Sequence, residues 1–191
     1  MRQIVLASSS PRRQELIKKL NIPFIVDSSN FKEYFDFDKT PEELTVELSL
    51  GKAEEVAKRH PQDIILAADT FVVLNGRYIG KPKDRKDAEE MLFFQSEKMQ
   101  KVVTGFTIID GKNGKVVSKP VVTNVYFKKL TKSMIKNYLD KNTYLDKAGA
   151  YGIQDIGEKF ISKIEGDYDN VMGFPTQEII TVITKEFQLE I

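Results

Sequence analysis

The apolar positions of the chain fall into short runs typical of buried strands, separated by stretches with helical spacing. Residues 64–68 (Ile-Ile-Leu-Ala-Ala) form the clearest run, and residues 71–74 (Phe-Val-Val-Leu) resume it after Asp69 and Thr70. Strands buried on both faces read as continuous apolar runs, so the pattern predicts a core strand that ends at Asp69. Because an unpaired carboxylate is costly to bury, Asp69 needs a metal, a cation or a functional role. An aspartate that only caps a turn is the alternative interpretation.

A second strand is predicted over residues 4–7, directly before a serine-rich turn. Ser10 is a good N-cap residue and Pro11 suits the first helical position, so a helix should begin there. A strand, a serine turn and a helix N-terminus together present free N–H groups that favour an anion. Arg12 and Arg13 fall in the first turn, where the helix dipole disfavours cations. Their position suggests an anionic ligand, with ordinary solvated arginines as the alternative.

The rest of the pattern continues the alternation of strands and helices. We expect a strand over 24–26, an ordered acidic-aromatic loop over 31–38, a helix from the Thr40 capping box to about Arg59 and a helix capped by Asp84. A strand over 101–109 should follow, and residues 116–127 should return as one or two antiparallel strands. The last predicted elements are a helix capped by Thr131, a strand over 160–164 and a helix starting near 173–176. Elements interleave early and hairpin turns crowd the middle. This order predicts an α/β fold with a mixed twisted sheet flanked by helices.

Two later segments do not predict regular structure. Residues 146–154 (Asp-Lys-Ala-Gly-Ala-Tyr-Gly-Ile-Gln) are rich in small residues that let the backbone approach a ligand closely, although a packed loop has the same composition. Residues 166–170 are expected to form a polar turn. We interpret residues 1–191 as a single domain with two lobes around a central cleft, and such a cleft is the default ligand site.

Composition narrows the chemistry. The chain has 191 residues with 41% hydrophobic and 30% charged residues, and its formal net charge is +1. A dedicated nucleic-acid binder is strongly basic, and a membrane span needs a long apolar run, so neither class fits. There is no cysteine, and His60 is the only histidine. Thiolate sites, serine–histidine triads and multi-histidine zinc sites are therefore disfavoured. An enzyme of this composition would rely on carboxylates, lysines and arginines.

Three blocks, taken together, resemble the Maf family of nucleoside triphosphate pyrophosphatases. The first is residues 6–13 (Leu-Ala-Ser-Ser-Ser-Pro-Arg-Arg). The second joins residues 68–70 (Ala-Asp-Thr) with 80–82 (Gly-Lys-Pro), and the third joins 146–154 with 166–171. Their order and spacing match over essentially the whole chain.

The resemblance implies a cytoplasmic, homodimeric enzyme that requires a divalent cation, Mg²⁺ with Mn²⁺ as an alternative. The implied reaction converts a nucleoside triphosphate and water into the monophosphate and pyrophosphate. Pro11, Arg12 and Arg13 with the Gln154 block resemble the branch that acts on dTTP and UTP, and modified pyrimidine nucleotides are further candidates. A related branch that acts on a methylated guanine nucleotide has a bulky aromatic residue at the position of Arg12.

The same match implies roles for individual residues. Asp69 is the expected proton acceptor, and Arg12, Thr70 and Gln154 are expected specificity positions. The remaining polar positions of the family's cleft are Ser8, Arg13, Glu33, Lys52 and Lys81. One departure concerns Glu97 and Gln100, which stand where the family usually has glycine and histidine.

These residues support a mechanism for hydrolysis. Magnesium prefers oxygen ligands, so Glu33 and Asp69 are the expected metal ligands. The attacking water is activated either by Asp69 as the base or by the metal. Lys52 and Lys81 would neutralise charge on the leaving pyrophosphate, although a helix lysine such as Lys52 is often simply solvated. The amide of Gln154 can both donate and accept, which suits the edge of uracil or thymine, or it could satisfy loop backbone instead.

Two rival functions use the same residues. A phosphatase would release inorganic phosphate from a nucleotide or a sugar phosphate. A non-catalytic nucleotide sensor would act in cell division through a partner and return the nucleotide intact. Nucleic-acid binding is disfavoured because no basic stripe is interleaved with aromatic residues.

Overall fold

The computed structural model describes residues 3–36, 38–141 and 144–188. These residues form seven strands: β1 (Ile4–Leu6), β2 (Phe24–Val26), β3 (Ile64–Leu74), β4 (Arg77–Ile79), β5 (Met99–Asp110), β6 (Val116–Phe127) and β7 (Ile161–Glu165). They also form the helices α1 (Pro11–Ile17), α2 (Pro41–Ala57), α3 (Arg85–Gln95), α4 (Lys132–Leu139), α5 (Ile153–Phe160), α6 (Tyr168–Val171) and α7 (Thr176–Phe187). Short 3₁₀ turns lie at Lys18–Leu20 and Ala148–Ala150.

The strands form one mixed sheet in the order β2-β1-β3-β5-β6-β7, with β4 paired to β3. Strand β1 runs parallel to both β2 and β3. The β3–β4 and β6–β7 pairs are antiparallel. The predicted α/β class with a mixed sheet flanked by helices is therefore confirmed.

The described residues divide into two compact units. The first contains the described residues within 1–70, 103–121 and 169–191, and the second contains those within 71–102 and 122–168. In the first unit, alternate residues of β1 and β3 face opposite sides of the sheet. One side joins α1 and α7 in a core of buried residues: Ile4, Leu6, Leu16, Ile17, Leu20, Ile64, Leu66, Ala68, Phe106, Ile108, Phe174, Ile179, Val182 and Ile183. The other side packs against α2 through Val5, Ala7, Ala53, Val56, Ile65, Ala67 and Ile109. Burial on both faces explains the continuous apolar run.

The second unit is organised by aromatic contacts between its helices and strands. Phe127 of β6 meets the ring of Tyr151 edge to face at a centroid distance of 5.2 Å. Tyr138 of α4 lies 5.5 Å from Phe160 at the end of α5. Rings in such tilted arrangements contribute beyond their buried area. These contacts hold α4 and α5 in place within the unit.

Three details of the predicted elements are wrong. Strand β3 continues through Asp69 to Leu74, because its neighbour changes from β1 (at Leu66) to β4 (from Val72 onward). The segment 166–170 contains the short helix α6. Helix α5 begins at Ile153, so Gln154 lies in a helical turn and not in a loop.

The N-cap predictions are confirmed. The side chains of Thr40, Asp84 and Thr131 accept hydrogen bonds from the first turns of α2, α3 and α4. Among the described residues, no helix combines the length and the apolar character that a bilayer crossing requires.

Candidate active site

Asp69 lies on β3 where that strand loses its parallel neighbour. Strand β1 ends at Leu6, and the amide of Ala7 donates the last bond to the carbonyl of Leu66, at 2.9 Å. After β1 the backbone leaves the sheet and forms the serine-rich segment. Asp69 is only 8% exposed, so it is a buried acidic residue. A buried carboxylate needs a partner, and the partner comes from α2.

Lys52 supplies this partner. Its ammonium Nζ contacts Oδ1 of Asp69 and lies 2.7 Å from Oε1 of Glu33. The Lys52 side chain is 13% exposed, and that of Asp69 is 12% exposed. The lysine is therefore not a solvated surface cation, since it bridges two carboxylates in a mostly buried position. Asp69, Lys52 and Glu33 form the cluster that we call the acid–lysine cluster.

Helix α2 can place Lys52 there because it approaches the sheet very closely. A Cβ atom added to Gly105 of β5 would lie 2.2 Å from the backbone carbonyl carbon of Thr45. Only glycine permits this contact between strand and helix backbone. In addition, the Ser49 hydroxyl lies 2.8 Å from the Thr107 hydroxyl, within a buried hydrogen bond. These contacts fix α2 against β5.

Arg13 organises the second part of the site. Its Nε donates to the carbonyl of Gly173 at 2.9 Å, its Nη2 to the Thr70 hydroxyl at 3.1 Å, and its Nη1 to the Ser8 hydroxyl at 3.4 Å. Among the described residues these three bonds leave part of the guanidinium donor set for a ligand. Burial lowers the pKa of the Arg13 guanidinium from its usual value, and the nearby Asp69 carboxylate opposes this shift. An additional anion beside Arg13 would favour its charged form further.

Sequence reasoning missed the residues that hold Thr70. The Thr70 hydroxyl lies 3.0 Å from the Thr104 hydroxyl, and Thr104 in turn donates to the carbonyl of Asn170 at 3.3 Å. Gly173 has φ +94°, and a Cβ atom there would lie 3.1 Å from the Thr70 hydroxyl oxygen. The glycine and the strand threonine were visible in the sequence. No local signal relates them to Thr70, because they join through tertiary contacts.

The serine turn contributes caps as well as hydroxyl groups. The Ser8 hydroxyl accepts from the amide of Ser10 at 3.2 Å, and the Ser10 hydroxyl accepts from the amide of Arg13 at 3.5 Å. The amide of Arg13, one of the N–H groups expected to bind an anion, therefore already donates to the N-cap residue. Arg12 is half-buried in the first turn of α1.

Lys81 and Gln154 belong to the second unit, and both are exposed. Their segments are joined within that unit, since the amide of Gly149 donates to the carbonyl of Gly80 at 3.0 Å. Gly149 has φ +71°, a backbone conformation that favours glycine. The side-chain amide of Gln95 donates to the carbonyl of Gly149 at 2.8 Å. Helix α3 therefore supports the block that carries Gln154.

Gln100 and Glu97 show what the departures from the family pattern do locally. Gln100 is buried, and its amide nitrogen donates to the hydroxyl of Tyr151. Burial raises the pKa of the Tyr151 hydroxyl, so that it stays protonated. Glu97 has φ +58°, a conformation in which the glycine usual for the family would be unstrained.

The fold and the acid–lysine cluster define an α/β protein with a candidate active site built from charged side chains. A family model described as Maf-like protein matches residues 3–186. The chain belongs to the Maf family.

Curated relatives match over the full length. A protein of Alkaliphilus oremlandii (strain OhILAs), named dTTP/UTP pyrophosphatase, is 42% identical over 100% of both chains. One of Thermoanaerobacter sp. (strain X514) with the same name is 43% identical over 99% of both chains. One of Pyrococcus furiosus, also named dTTP/UTP pyrophosphatase, is 43% identical over 96% of this chain and 95% of the relative.

Proposed function

We propose that this chain hydrolyses dTTP and UTP to the corresponding monophosphate and pyrophosphate. The observation that carries the proposal is the convergence of Asp69 and Glu33 on the ammonium of Lys52. Two carboxylates and a lysine suit phosphoryl chemistry, which needs a proton acceptor and cations near the phosphates. The names of the full-length relatives support this choice of reaction and substrates.

Asp69 acts as the proton acceptor in this proposal. It takes the proton of a water whose oxygen attacks the α-phosphorus. The new bond from water oxygen to phosphorus forms as the bond from phosphorus to the bridging oxygen of pyrophosphate breaks. The Lys52 ammonium, already in contact with Oδ1 of Asp69, stabilises the negative charge that develops on the phosphates. Lys81, which is exposed, adds a further cation for the leaving pyrophosphate.

The implied divalent cation fits the residues present. Oε1 of Glu33 and Oδ1 of Asp69 both contact the Lys52 ammonium, so two hard oxygen donors already lie beside one cationic group, and these two would hold the divalent cation. In the described part of the chain, no group of three His, Cys, Asp or Glu residues could hold a metal. Phosphate oxygens and water would therefore supply the other ligands, as is usual for Mg²⁺, with Mn²⁺ as the alternative. When bound, the cation would neutralise phosphate charge and acidify a coordinated water.

Arg13, Ser8 and Arg12 are the proposed contacts for the phosphates. A guanidinium forms charge-assisted hydrogen bonds with phosphate oxygens, and Arg13 is oriented for this by its bonds to Gly173 and Thr70. Arg12 in the first turn of α1 and the hydroxyl of Ser8 add to the same polar surface. Thr70, held by Thr104, is proposed as a specificity position together with Arg12.

Gln154 is the proposed reader of the base. Uracil and thymine present an N–H donor between two carbonyl acceptors, and a primary amide can match a donor and an acceptor together. Its exposure at the first turn of α5 leaves it accessible to a ligand. A homodimer and a cytoplasmic location are part of the proposal and derive from the family resemblance.

The test is a product analysis with purified protein, Mg²⁺ and each common nucleoside triphosphate, in which monophosphate, pyrophosphate and phosphate are resolved. We expect monophosphate and pyrophosphate from UTP and dTTP, with purine nucleotides spared. Equal turnover of purine nucleotides would overturn the proposed base recognition and leave the reaction standing. Release of inorganic phosphate would identify a phosphatase instead. Intact nucleotide with saturable binding would identify a non-catalytic sensor.

A further inference from the structure

Glu33 is held in place by a segment without regular secondary structure, residues 27–36, which we call the Glu33 segment. Helices and strands carry the other two members of the acid–lysine cluster, Lys52 on α2 and Asp69 on β3. A side chain on irregular backbone needs other contacts to hold it at a defined point. The Glu33 segment finds these contacts along one side of α2.

Residues spaced four apart along and just beyond α2 make these contacts: Glu47, Gly51, Glu55 and Arg59. Positions four apart lie on the same face of a helix, so the four residues form one stripe. At one end, Arg59 forms a two-point pair with Asp27, through Nε–Oδ2 at 2.9 Å and Nη2–Oδ1 at 3.0 Å. This pair anchors the start of the Glu33 segment.

The next contact along the stripe is made by Glu55. Its Oε2 accepts from the hydroxyl of Ser29 and from the amide of Asn30, both at 3.0 Å. At the far end of the stripe, Glu47 accepts a hydrogen bond from the hydroxyl of Tyr34. Both contacts are partly exposed to solvent, so each contributes modestly on its own. They fix the direction of the segment along the helix.

Gly51 provides the closest contact, and it is the only one of the four without a side chain. A Cβ atom at Gly51 would lie 2.4 Å from Cζ and 2.5 Å from Cε2 of the Phe31 ring. The ring therefore lies directly on the helix backbone. Glycine inside a helix is less favourable than alanine, so this position is unfavourable unless the close contact requires it.

We propose that the contact between Phe31 and Gly51 positions Glu33. Gly51 precedes Lys52, and Phe31 lies two residues before Glu33. The Phe31 ring therefore sets the distance between the Glu33 segment and α2 next to the ion pair. An additional methyl group at position 51 would push the ring and the following residues outward. Oε1 of Glu33 would then move away from Nζ of Lys52, which it meets at 2.7 Å. Gly51 and Phe31 are positioning residues that act through Glu33.

The consequence for the reaction rests on the proposed function. If Glu33 helps to hold the divalent cation, its displacement weakens metal use without removing any ligand. Residues that orient a metal ligand typically affect metal affinity or activity by about ten- to a hundredfold. We expect the Gly51→Ala variant to need about tenfold more Mg²⁺ for half-maximal pyrophosphate release, with a smaller change in the rate at saturating Mg²⁺.

The experiment compares Gly51→Ala, Phe31→Leu and the double variant, with Glu54→Ala as the matched control. Glu54 is exposed on α2 and is not part of the stripe. Two quantities are measured for each protein: the Mg²⁺ concentration that gives half-maximal activity, and the hydrogen–deuterium exchange of peptides covering residues 28–36. Gly51→Ala should raise both quantities. A displaced Phe31 ring would weaken the hydrogen bond from the amide of Asn30 to Glu55, which protects that amide from exchange. The double variant should recover much of the change, since a smaller side chain at 31 accommodates the new methyl group.

Exchange and activity distinguish the two hypotheses. Wild-type protein that releases no pyrophosphate would refute the proposed function, while the exchange data would still decide whether Phe31 and Gly51 hold the segment. An active wild type together with unchanged exchange and Mg²⁺ dependence in Gly51→Ala would refute the positioning role. A destabilised Gly51→Ala that Phe31→Leu fails to rescue would also refute it, because the effect would then arise elsewhere in α2.

Discussion

The acid–lysine cluster of the first unit and the buried glutamines of the second unit hold their polar side chains in different ways. In the acid–lysine cluster of the first unit, the buried Asp69 pairs with the mostly buried Lys52, which also contacts the more exposed Glu33. In the second unit, Gln100 and Gln95 form a neutral network, since Gln100 donates to Tyr151 and Gln95 donates to the backbone of the 146–154 block. The buried Lys147 of that unit pairs with the exposed Asp146. The side-chain oxygens of both glutamines have no hydrogen-bond partner among the described residues.

Electrostatics explains the difference. A buried charge without a partner costs several kcal/mol, so charged residues persist in a core only as pairs or at a functional site. An amide oxygen that lacks one hydrogen bond costs only about 1–3 kcal/mol, which a stable fold can tolerate. The acid–lysine cluster is therefore the candidate site of chemistry in the first unit. The neutral groups of the second unit support the backbone on which Gln154 is carried.

The largest expected effect concerns the charged cluster. Asp69→Asn keeps the shape of the side chain but removes the proton acceptor, so pyrophosphate release should fall by roughly 10²–10⁴-fold. Steady-state kinetics with UTP at saturating Mg²⁺ measure this. Asp38→Asn, at an exposed position, is the control. Unchanged turnover in Asp69→Asn would remove the catalytic assignment and leave Asp69 as a structural partner of Lys52.

A second variant tests whether the other carboxylate of the cluster serves the metal. Glu33→Gln should shift the Mg²⁺ titration by about tenfold or more, because a neutral amide is a poorer ligand for a hard cation. Glu54→Gln on the exposed side of α2 controls for general loss of negative charge. Superimposable titrations of Glu33→Gln and the wild type would show that Glu33 only pairs with Lys52.

The neutral network of the second unit should respond in stability. Tyr151→Phe removes the acceptor of the Gln100 amide and should lower the free energy of unfolding by about 1–3 kcal/mol. Adding Gln100→Leu removes both partners and should restore much of that loss, since neither side chain of the pair then buries a polar group that lacks its bond. Urea unfolding of both single variants and the double variant measures the coupling. Strictly additive losses would mean that the network does not act as a unit.

The smallest effect on stability is expected from the partly exposed carboxylate of Asp27. Hydrogen bonds from Arg59 and His60 lower the pKa of the Asp27 carboxyl to about 2. A lowered pKa in the folded state stabilises the fold above about pH 4, the usual value of an unfolded aspartate, and this stabilisation is lost as the pH falls towards 2. The Asp27 side chain is 33% exposed, so solvent screening limits the contribution to below about 1 kcal/mol.

Thermal unfolding of Asp27→Asn and of the wild type tests this direction of the pH dependence. The wild type should have the higher melting temperature at pH 7, and the difference should be smaller at pH 3. A difference that grows on acidification would contradict the assigned cause, because protonation removes the charge that the variant also lacks.

Local signals in the sequence predicted most of the elements. The caps at Thr40, Asp84 and Thr131 begin α2, α3 and α4, because a side-chain oxygen placed before a helical run satisfies the first amides regardless of the rest of the fold. The apolar runs predicted the buried strands for a similarly local reason. Where the prediction of β3 failed at Asp69, the cause is the exchange of β1 for β4 as its neighbour.

Proximity within the candidate site was only partly predictable. The sequence drew attention to Asp69, Glu33, Lys52 and Arg13, and the resemblance assigned them to one cleft. Nothing in the sequence relates Arg13 to Gly173, which lies 160 residues away, or Thr70 to Thr104. Helix spacing relates Gly51 to Glu55, but only the folded chain brings Phe31 against the gap that Gly51 leaves.

By itself, the sequence determined which elements form, which side chains carry charge and which chemistries its single histidine and absent cysteines disfavour. These properties depend on residue type and short-range spacing. The tertiary structure alone decided that Lys52 lies between Glu33 and Asp69. It also decided that Arg13 holds Thr70. Such contacts depend on how α1, α2 and the segment between them pack on the sheet, and burial then requires each charge to meet its partner.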